Sequence, residues 1–264
     1  MSKTYNTNYC SWRRPPSVVN LKMDEVHLWK ISLDSILSKT QFQNLSWVLS
    51  ENENKRAKGF FFEKDMINFV ISHAILRIIL SIYVGVDPKI IQFSYGRYGK
   101  PFLADGSNGK KINFNLSHSG DAALVGITCN NLIGVDIEKM CDDTDVDAIM
   151  EMFFPELEAV LLRKYDDYER NKLFFISWTC KEAFTKAMGE GLNYPFKRLH
   201  MPGLHGKSNF FVYSHGSSNW SLIKLSPYPD HVAAVAVEGE RKAVKCWDSD
   251  DLLNRGGILG SFKS

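Results

Sequence analysis

The most apolar stretch of the chain runs from Val70 to Val86, interrupted by His73 and Arg77. It is too short to span a bilayer, so it reads as a helix that the rest of the fold must cover. Phe69, Ile75, Leu76, Ile79 and Leu80 recur at three- and four-residue steps, which predicts a helix from about Lys64 to Tyr83 with a core-facing stripe. Gly85 and Pro88 suit its end. Burying such a helix takes a sizeable core, and 264 residues suffice for one large domain or two packed halves. Apolar residues at 44% and charged residues at 23% exclude wholesale disorder.

Thirty-two basic and 30 acidic side chains leave a formal charge of +2. That balance argues against a protein held to nucleic acid mainly by phosphate contacts. The cysteines (Cys10, Cys129, Cys141, Cys180 and Cys246) are odd in number and scattered, with no CxxC or Cys/His spacing. A disulfide framework or a structural zinc site is therefore not expected. The first twenty residues hold no apolar stretch of signal-peptide length. A soluble, cytoplasmic protein with no membrane partner is the expectation.

Patterning along the chain alternates between helix and strand. Strands are expected at Val26–Leu33 and Ile90–Tyr95, with a helix at about Phe42–Arg56. Short strands and turns follow through YGRYGKPFL, INFNLSHSGDAALVGIT and LIGVDIEKM. Helices are then expected at about Asp145–Met152, Pro155–Lys164 and Tyr168–Met188, and strands at Asn209–Tyr213, Trp220–Leu225 and His231–Val237. AALVGIT (Ala122–Thr128) and AAVAVEG (Ala233–Gly239) are both small-residue strands after polar turns. That likeness suggests two similar α+β halves joined near residues 129–133. The expected division is a lead-in at 1–20, an N-terminal half at 21–130, a C-terminal half at 131–247 and a Gly/Ser-rich tail at 248–264.

Four groups of residues can carry chemistry. In Gly134-Val135-Asp136-Ile137-Glu138, strand alternation projects Asp136 and Glu138 from one face, about 6–7 Å apart. Such a pair suits a hard divalent ion, although two ordinary surface acids would read the same. In Trp178-Thr179-Cys180-Lys181-Glu182-Ala183-Phe184-Thr185-Lys186, the residues Trp178, Glu182 and Lys186 lie along one side of a helix. An isolated Glu–Lys pair there would only stabilise the helix, by about 0.2–0.5 kcal/mol. Asn115-Leu116-Ser117-His118-Ser119-Gly120 reads as a turn after the strand INFNL, fit for an anion or merely for turning. A Ser-His nucleophilic pair is not expected there, because neighbours on a strand face opposite ways. Lys55, Arg56 and Lys58, with Arg97 and Lys100, are basic anchors of phosphate size or solvated surface. No Walker loop or GxGxxG fingerprint competes for a nucleotide.

Taken in order, Tyr98–Pro101 (YGKP), Asn115–Ser119 (NLSHS), Gly134–Glu138 (GVDIE) and Trp178–Lys186 (WTCKEAFTK) resemble the motifs of the 4′-phosphopantetheinyl transferases. The likeness is to the larger, pseudo-duplicated type that includes the surfactin-synthetase activator, and it covers roughly residues 24–240. It implies an α+β fold of two pseudo-symmetric halves in one chain, with the active site between them, able to work as a monomer. By that resemblance Asp136, Glu138 and Glu182 match the family's magnesium-binding acids, with manganese as an alternative ion. Glu182 would also take, or help to take, a proton from the acceptor serine. Lys186 would contact the phosphate and assist its departure, with Lys181 beside it. Ser117 and His118 match contacts to the phosphates of coenzyme A. Lys100 and Pro101 match its adenosine end, and Lys55 and Arg56 its 3′-phosphate. One departure is Asn68, at a place where the family often carries an arginine; Lys64 is the nearest substitute.

The reaction implied moves the phosphopantetheine arm of coenzyme A onto a serine of an apo acyl or peptidyl carrier protein, releasing adenosine 3′,5′-bisphosphate. A docking surface for the carrier is expected along Phe153–Tyr168, where Phe153, Phe154 and Leu157 sit near Arg163 and Lys164. Two other readings use the same residues: a magnesium-dependent phosphatase or nuclease, and a scaffold that binds coenzyme A or a carrier without turnover.

Overall fold

Two four-stranded sheets are stacked face to face, and each is covered on its outer side by a 22-residue helix. The architecture comes from a computed structural model describing residues 10–34, 38–104, 111–201, 204–240, 243–250 and 252. The first nine residues of the expected lead-in, and the tail from 253 onward, lie outside the described residues.

In the first sheet β1 (Glu25–Ser32) lies between β10 (Ala243–Asp248) and β5 (Ala122–Cys129), with β4 (Ile112–Ser119) at the edge. The second sheet runs β6 (Ile133–Lys139), β9 (His231–Glu238), β8 (Ser218–Leu225), β7 (Phe210–His215). All pairings are antiparallel except that of β1 with β10. Val26, Leu28 and Leu124 of the first sheet meet Val135, Ile137, Ile223 and Val235 of the second in a shared core.

The opposite faces carry the helices. Ile71, Ile75 and Ile78 of α3 (Glu63–Val84) pack on Trp29, Val125 and Ile127. Cys180, Ala183, Phe184 and Ala187 of α6 (Asp167–Met188) pack on Leu222, Ala234 and Ala236. Burial on both faces explains why β5 and β9 read as unbroken small and apolar runs rather than alternating ones. The helix α3 exceeds its expected length and is, by length and composition, long enough to cross a bilayer. Its apolar residues are instead buried by the protein around it.

The structure changes several sequence-based expectations. The single helix expected at Phe42–Arg56 is two, α1 (Lys39–Val48) and α2 (Glu51–Ala57), because Ser50 and Glu53 form a capping box that starts a new helix. The strand expected from Ile90 is shorter: Asp87 caps a turn at Pro88–Ile90, and β2 (Phe93–Tyr95) follows, paired with β3 (Pro101–Leu103). The motif NLSHS is not a turn. It is the second half of β4, and the chain reverses only at Gly120–Asp121. Residues 243–248, expected in the C-terminal half up to 247, pair with β1 and belong to the first sheet. One disulfide is present where no disulfide framework is expected. The segment around Arg13 bonds β10 through Cys246 and Asp248, and this brings Cys10 into a disulfide with Cys246, Cα atoms 5.7 Å apart. Cys129, Cys141 and Cys180 are free.

Candidate active site

The site forms where the edge strand β6 runs between the edge strand β4 and α6, and a glycine lets strand and helix meet. A Cβ on Gly134 would lie 2.0 Å from the Ala183 carbonyl oxygen and 2.3 Å from the Ala187 nitrogen. Only a residue without a side chain allows that approach of helix to strand. The glycine of GVDIE thus sets the distance between its acids and the helix that carries Glu182 and Lys186.

Alternation along β6 turns Val135 and Ile137 into the core between the sheets and leaves Asp136 and Glu138 on the face toward α6. Asp136 is 1% exposed. Its Oδ1 accepts from the Ser117 hydroxyl at 2.9 Å and from Lys186 Nζ at 2.5 Å, while Oδ2 is buried with no partner. Lys186 Nζ also donates to Ser117 Oγ at 3.1 Å and stands 4.0 Å from Glu182 Oε2. Glu138 Oε2 accepts from the Ser119 hydroxyl at 2.7 Å.

Burial raises the pKa of Asp136 despite the opposing charge of Lys186 and its hydrogen bonds. Burial, with the charge of Asp136, also raises Glu138. Burial pushes Glu182 up to about 7, with Asp136 and Glu138 adding to it and Lys186 opposing. For Lys186, burial favours the neutral amine, but the charges of Asp136, Glu182 and Glu138 outweigh it and hold the ammonium charged. Three carboxyls share one ammonium, so the group carries an unmet demand for positive charge.

The acids fit a hard divalent ion in chemistry: three carboxyls, one with a buried oxygen that no protein group satisfies. Among the described residues, the group of potential ligands drawn within 4.8 Å of one another is a different one, Asp121, Asp230 and His231. There Lys139 Nζ already bridges Asp121 at 3.0 Å and Asp230 at 3.1 Å, so a cation is built in.

On the opposite face of β4, His118 points toward α2 and α3. Loss of solvation lowers its pKa, and the charges of His73, Lys186 and Arg56 add to that effect. The Arg56 guanidinium lies 5.1 Å from the Phe69 ring centre, and Phe69 stacks on His73 at 4.0 Å. The cations of Arg56 on α2 and Lys186 on α6 thus flank a His118 held neutral, an arrangement suited to a polyanion. Lys55 is exposed on α2 beside Arg56. Asn68 Nδ2 donates to the Gly120 carbonyl at 3.1 Å and so holds the start of α3 against the β4–β5 turn. On the other side of Glu138, a cavity of about 370 Å³ is walled by Ile149, Phe174, Phe175 and Trp178.

Two lysines serve the fold. Lys181 is fully buried. Its ammonium donates to Glu158 Oε2 at 2.6 Å and to the Leu199 carbonyl at 2.8 Å, and it lies 4.7 Å from the Phe154 ring centre. It therefore does not reach the cleft, because it lies about 100° around the helix from Glu182. Lys100 donates to the carbonyls of Ile133 and Ala187 at 2.9 and 2.8 Å, and burial lowers its pKa to about 8. It pins the β2–β3 hairpin to the end of α6. With Pro101 it lines a separate cavity of about 770 Å³ that also touches Tyr98, Asn113 and Gly189.

Sequence reasoning placed Asn115 and Ser119 in a turn without a role of their own, and it overlooked His73. The first two were legible as every second residue of a strand, on the face that Ser117 shares; His73 stood out only as a polar break in an apolar helix.

Comparison with known proteins identifies the family. Residues 132–236 match the family described as the 4′-phosphopantetheinyl transferase superfamily, and residues 37–129 match 4′-phosphopantetheinyl transferase, N-terminal. The chain is 37% identical over 237 residues to 4′-phosphopantetheinyl transferase HetI of Nostoc sp., covering 90% of this chain and 98% of that protein. It is 33% identical to 4′-phosphopantetheinyl transferase ffp of Bacillus subtilis, covering 67% of this chain and 78% of the relative. Identity to Sfp of Bacillus subtilis is 28%, with the same coverage of 67% and 78%. With both halves matched in order and the cleft lying between them, the chain belongs to the 4′-phosphopantetheinyl transferase superfamily, enzymes that transfer the phosphopantetheine arm of coenzyme A to carrier proteins.

Proposed function

We propose that this chain catalyses a magnesium-dependent transfer of phosphopantetheine to a serine of an apo acyl or peptidyl carrier protein, releases adenosine 3′,5′-bisphosphate, and works as a monomer. The observation that carries the reading is the convergence of Asp136, Glu138, Glu182 and Lys186 beside His118 and Arg56. The single chain supplies both halves of the cleft, which supports the monomer.

Asp136, Glu138 and Glu182 would hold the magnesium ion, which would supply charge neutralisation at the pyrophosphate. Arg56, His118 and Lys186 bind the phosphates of coenzyme A. The serine oxygen forms a bond to the phosphorus bearing the pantetheine arm, and the bond from that phosphorus to the bridging oxygen breaks. Glu182, a carboxylate at the meeting point of serine and metal, is suited to accept the serine proton. Lys186 stabilises the charge that gathers on the departing adenosine phosphate.

The aromatic cavity beside Glu138 lies open to the incoming carrier. Leu157, Val160 and Leu161 of α5 (Glu156–Leu162) are exposed and support a docking role, as do Arg163 and Lys164 for an acidic partner. Phe154, expected on that surface, is buried in the core under α6 and is not part of it.

The test is the intact mass of an apo carrier protein after incubation with this chain, coenzyme A and magnesium, with an EDTA control. A gain of one phosphopantetheine that EDTA abolishes is the expected result. Phosphate release from coenzyme A without any gain in carrier mass would instead favour a phosphatase.

A further inference from the structure

The acids of β6 are oriented from the neighbouring sheet. Strands β4 and β6 are edges of different sheets with no backbone ladder between them, yet they run side by side and are tied by side chains. Asn115, Ser117 and Ser119, every second residue of β4, make the ties. Asn115 Oδ1 accepts from the Val135 backbone nitrogen at 2.8 Å, Ser117 donates to Asp136 at 2.9 Å, and Ser119 donates to Glu138 at 2.7 Å.

Ser119 differs from the other two in how tightly it is fixed. Its hydroxyl oxygen accepts the backbone N–H of Lys139 at 3.2 Å. That bond fixes where the oxygen sits and leaves its one proton for Glu138 Oε2. Its backbone pairs with Ala122 across the turn, and its carbonyl faces His231 Nε2 at 3.2 Å. The turn itself packs on β6, since a Cβ at Gly120 would lie 2.8 Å from Lys139 Cδ. Ser117, by contrast, shares its hydroxyl with the ammonium of Lys186. Among the described residues Glu138 Oε2 has this one hydroxyl donor, and no protein hydrogen bond goes to Oε1.

We propose that Ser119 is a positioning residue for Glu138: its hydroxyl clamps one carboxylate oxygen so that the other is presented to the divalent ion shared with Asp136. The inference rests on the reading that these acids bind such an ion. A carboxylate held before the ion arrives loses less side-chain freedom on binding, and partners that orient metal ligands typically change affinity by about 10- to 100-fold when removed.

The experiment measures Mn2+ binding directly, by electron paramagnetic resonance titration of the full chain with and without coenzyme A. The proteins are wild type, Ser119→Ala and Ser119→Thr. Ser119→Ala is expected to weaken Mn2+ binding at least about tenfold, whereas Ser119→Thr, which keeps the hydroxyl, stays close to wild type. In the transfer reaction Ser119→Ala should raise the metal concentration for half-maximal rate and leave the rate at saturating metal near that of wild type. If wild type and Ser119→Ala bind Mn2+ equally, or if Ser119→Thr is as weak as Ser119→Ala, the positioning role is overturned while the metal reading stands. If wild type binds no Mn2+ in either condition, the metal reading itself falls. Should Ser119→Ala fold poorly, Ser119→Val against Ser119→Thr makes the same comparison between side chains of one shape with and without the hydroxyl.

Discussion

Glu182→Gln should change how the stability of the metal-free protein depends on pH. Burial raises the Glu182 pKa from 4.5 to about 7 in the folded chain, beside Asp136 and Glu138. The folded state therefore favours the neutral carboxyl. Its contribution is fully present below pH 4.5, falls as the pH rises, and is gone once the pH has passed about 7. Carrying a carboxyl that far disfavours its charged form by about 3 kcal/mol, with little solvent screening since the side chain is 9% exposed. Gln keeps the shape of the neutral acid and does not titrate. In metal-free buffer the variant should match wild type near pH 4 and be more stable by about 3 kcal/mol at pH 8, read as the difference in urea unfolding free energy. Millimolar magnesium should stabilise wild type at pH 8 and the variant much less, closing the gap. The variant should also lose transfer activity. Parallel stability curves from pH 4.5 to 8 without metal would refute the claim that burial and like charge strain Glu182.

Two further substitutions separate the fold from the site. Gly134→Ala places a methyl 2.0 Å from the Ala183 carbonyl oxygen, so α6 must lift from β6; urea unfolding should show a loss of about 3 kcal/mol or more, and transfer should fall because Glu182 and Lys186 move with the helix. Lys181→Met leaves Glu158 buried without its cation, and unfolding should show a loss of about 3–5 kcal/mol. The folded variant should keep the wild-type KM for coenzyme A, whereas a raised KM with unchanged stability would place Lys181 in the cleft.

Much of the site was legible because its pieces are local. Alternation in a strand paired Asp136 with Glu138, and helical spacing put Glu182 and Lys186 on one side of α6. The same spacing turns Lys181 away, and only its adjacency to Glu182 in the motif drew it into the site. The rest depends on contacts between residues far apart in the chain. Nothing near Ser119 in sequence shows that β4 will lie beside β6, and nothing near Lys100 shows that two carbonyls from β6 and α6 will take its ammonium. The long helices and the sheet strands followed from periodicity, whereas the break between α1 and α2 was set by a cap, which hydrophobic patterning does not register. The strand β10 was missed because residues that complete another sheet from a distance carry no local mark of it.

That late strand bears on the order of events during synthesis. β1 leaves the ribosome long before β10, yet the two are neighbours in one sheet. The edge of β1 that β10 covers stays open while everything between the two strands is being made, and an open edge invites pairing with other chains. Closing so long a loop is slow compared with forming a hairpin or helix. Chains stalled or truncated shortly before residue 243 should therefore collect as aggregates even though every residue of the site has already been translated.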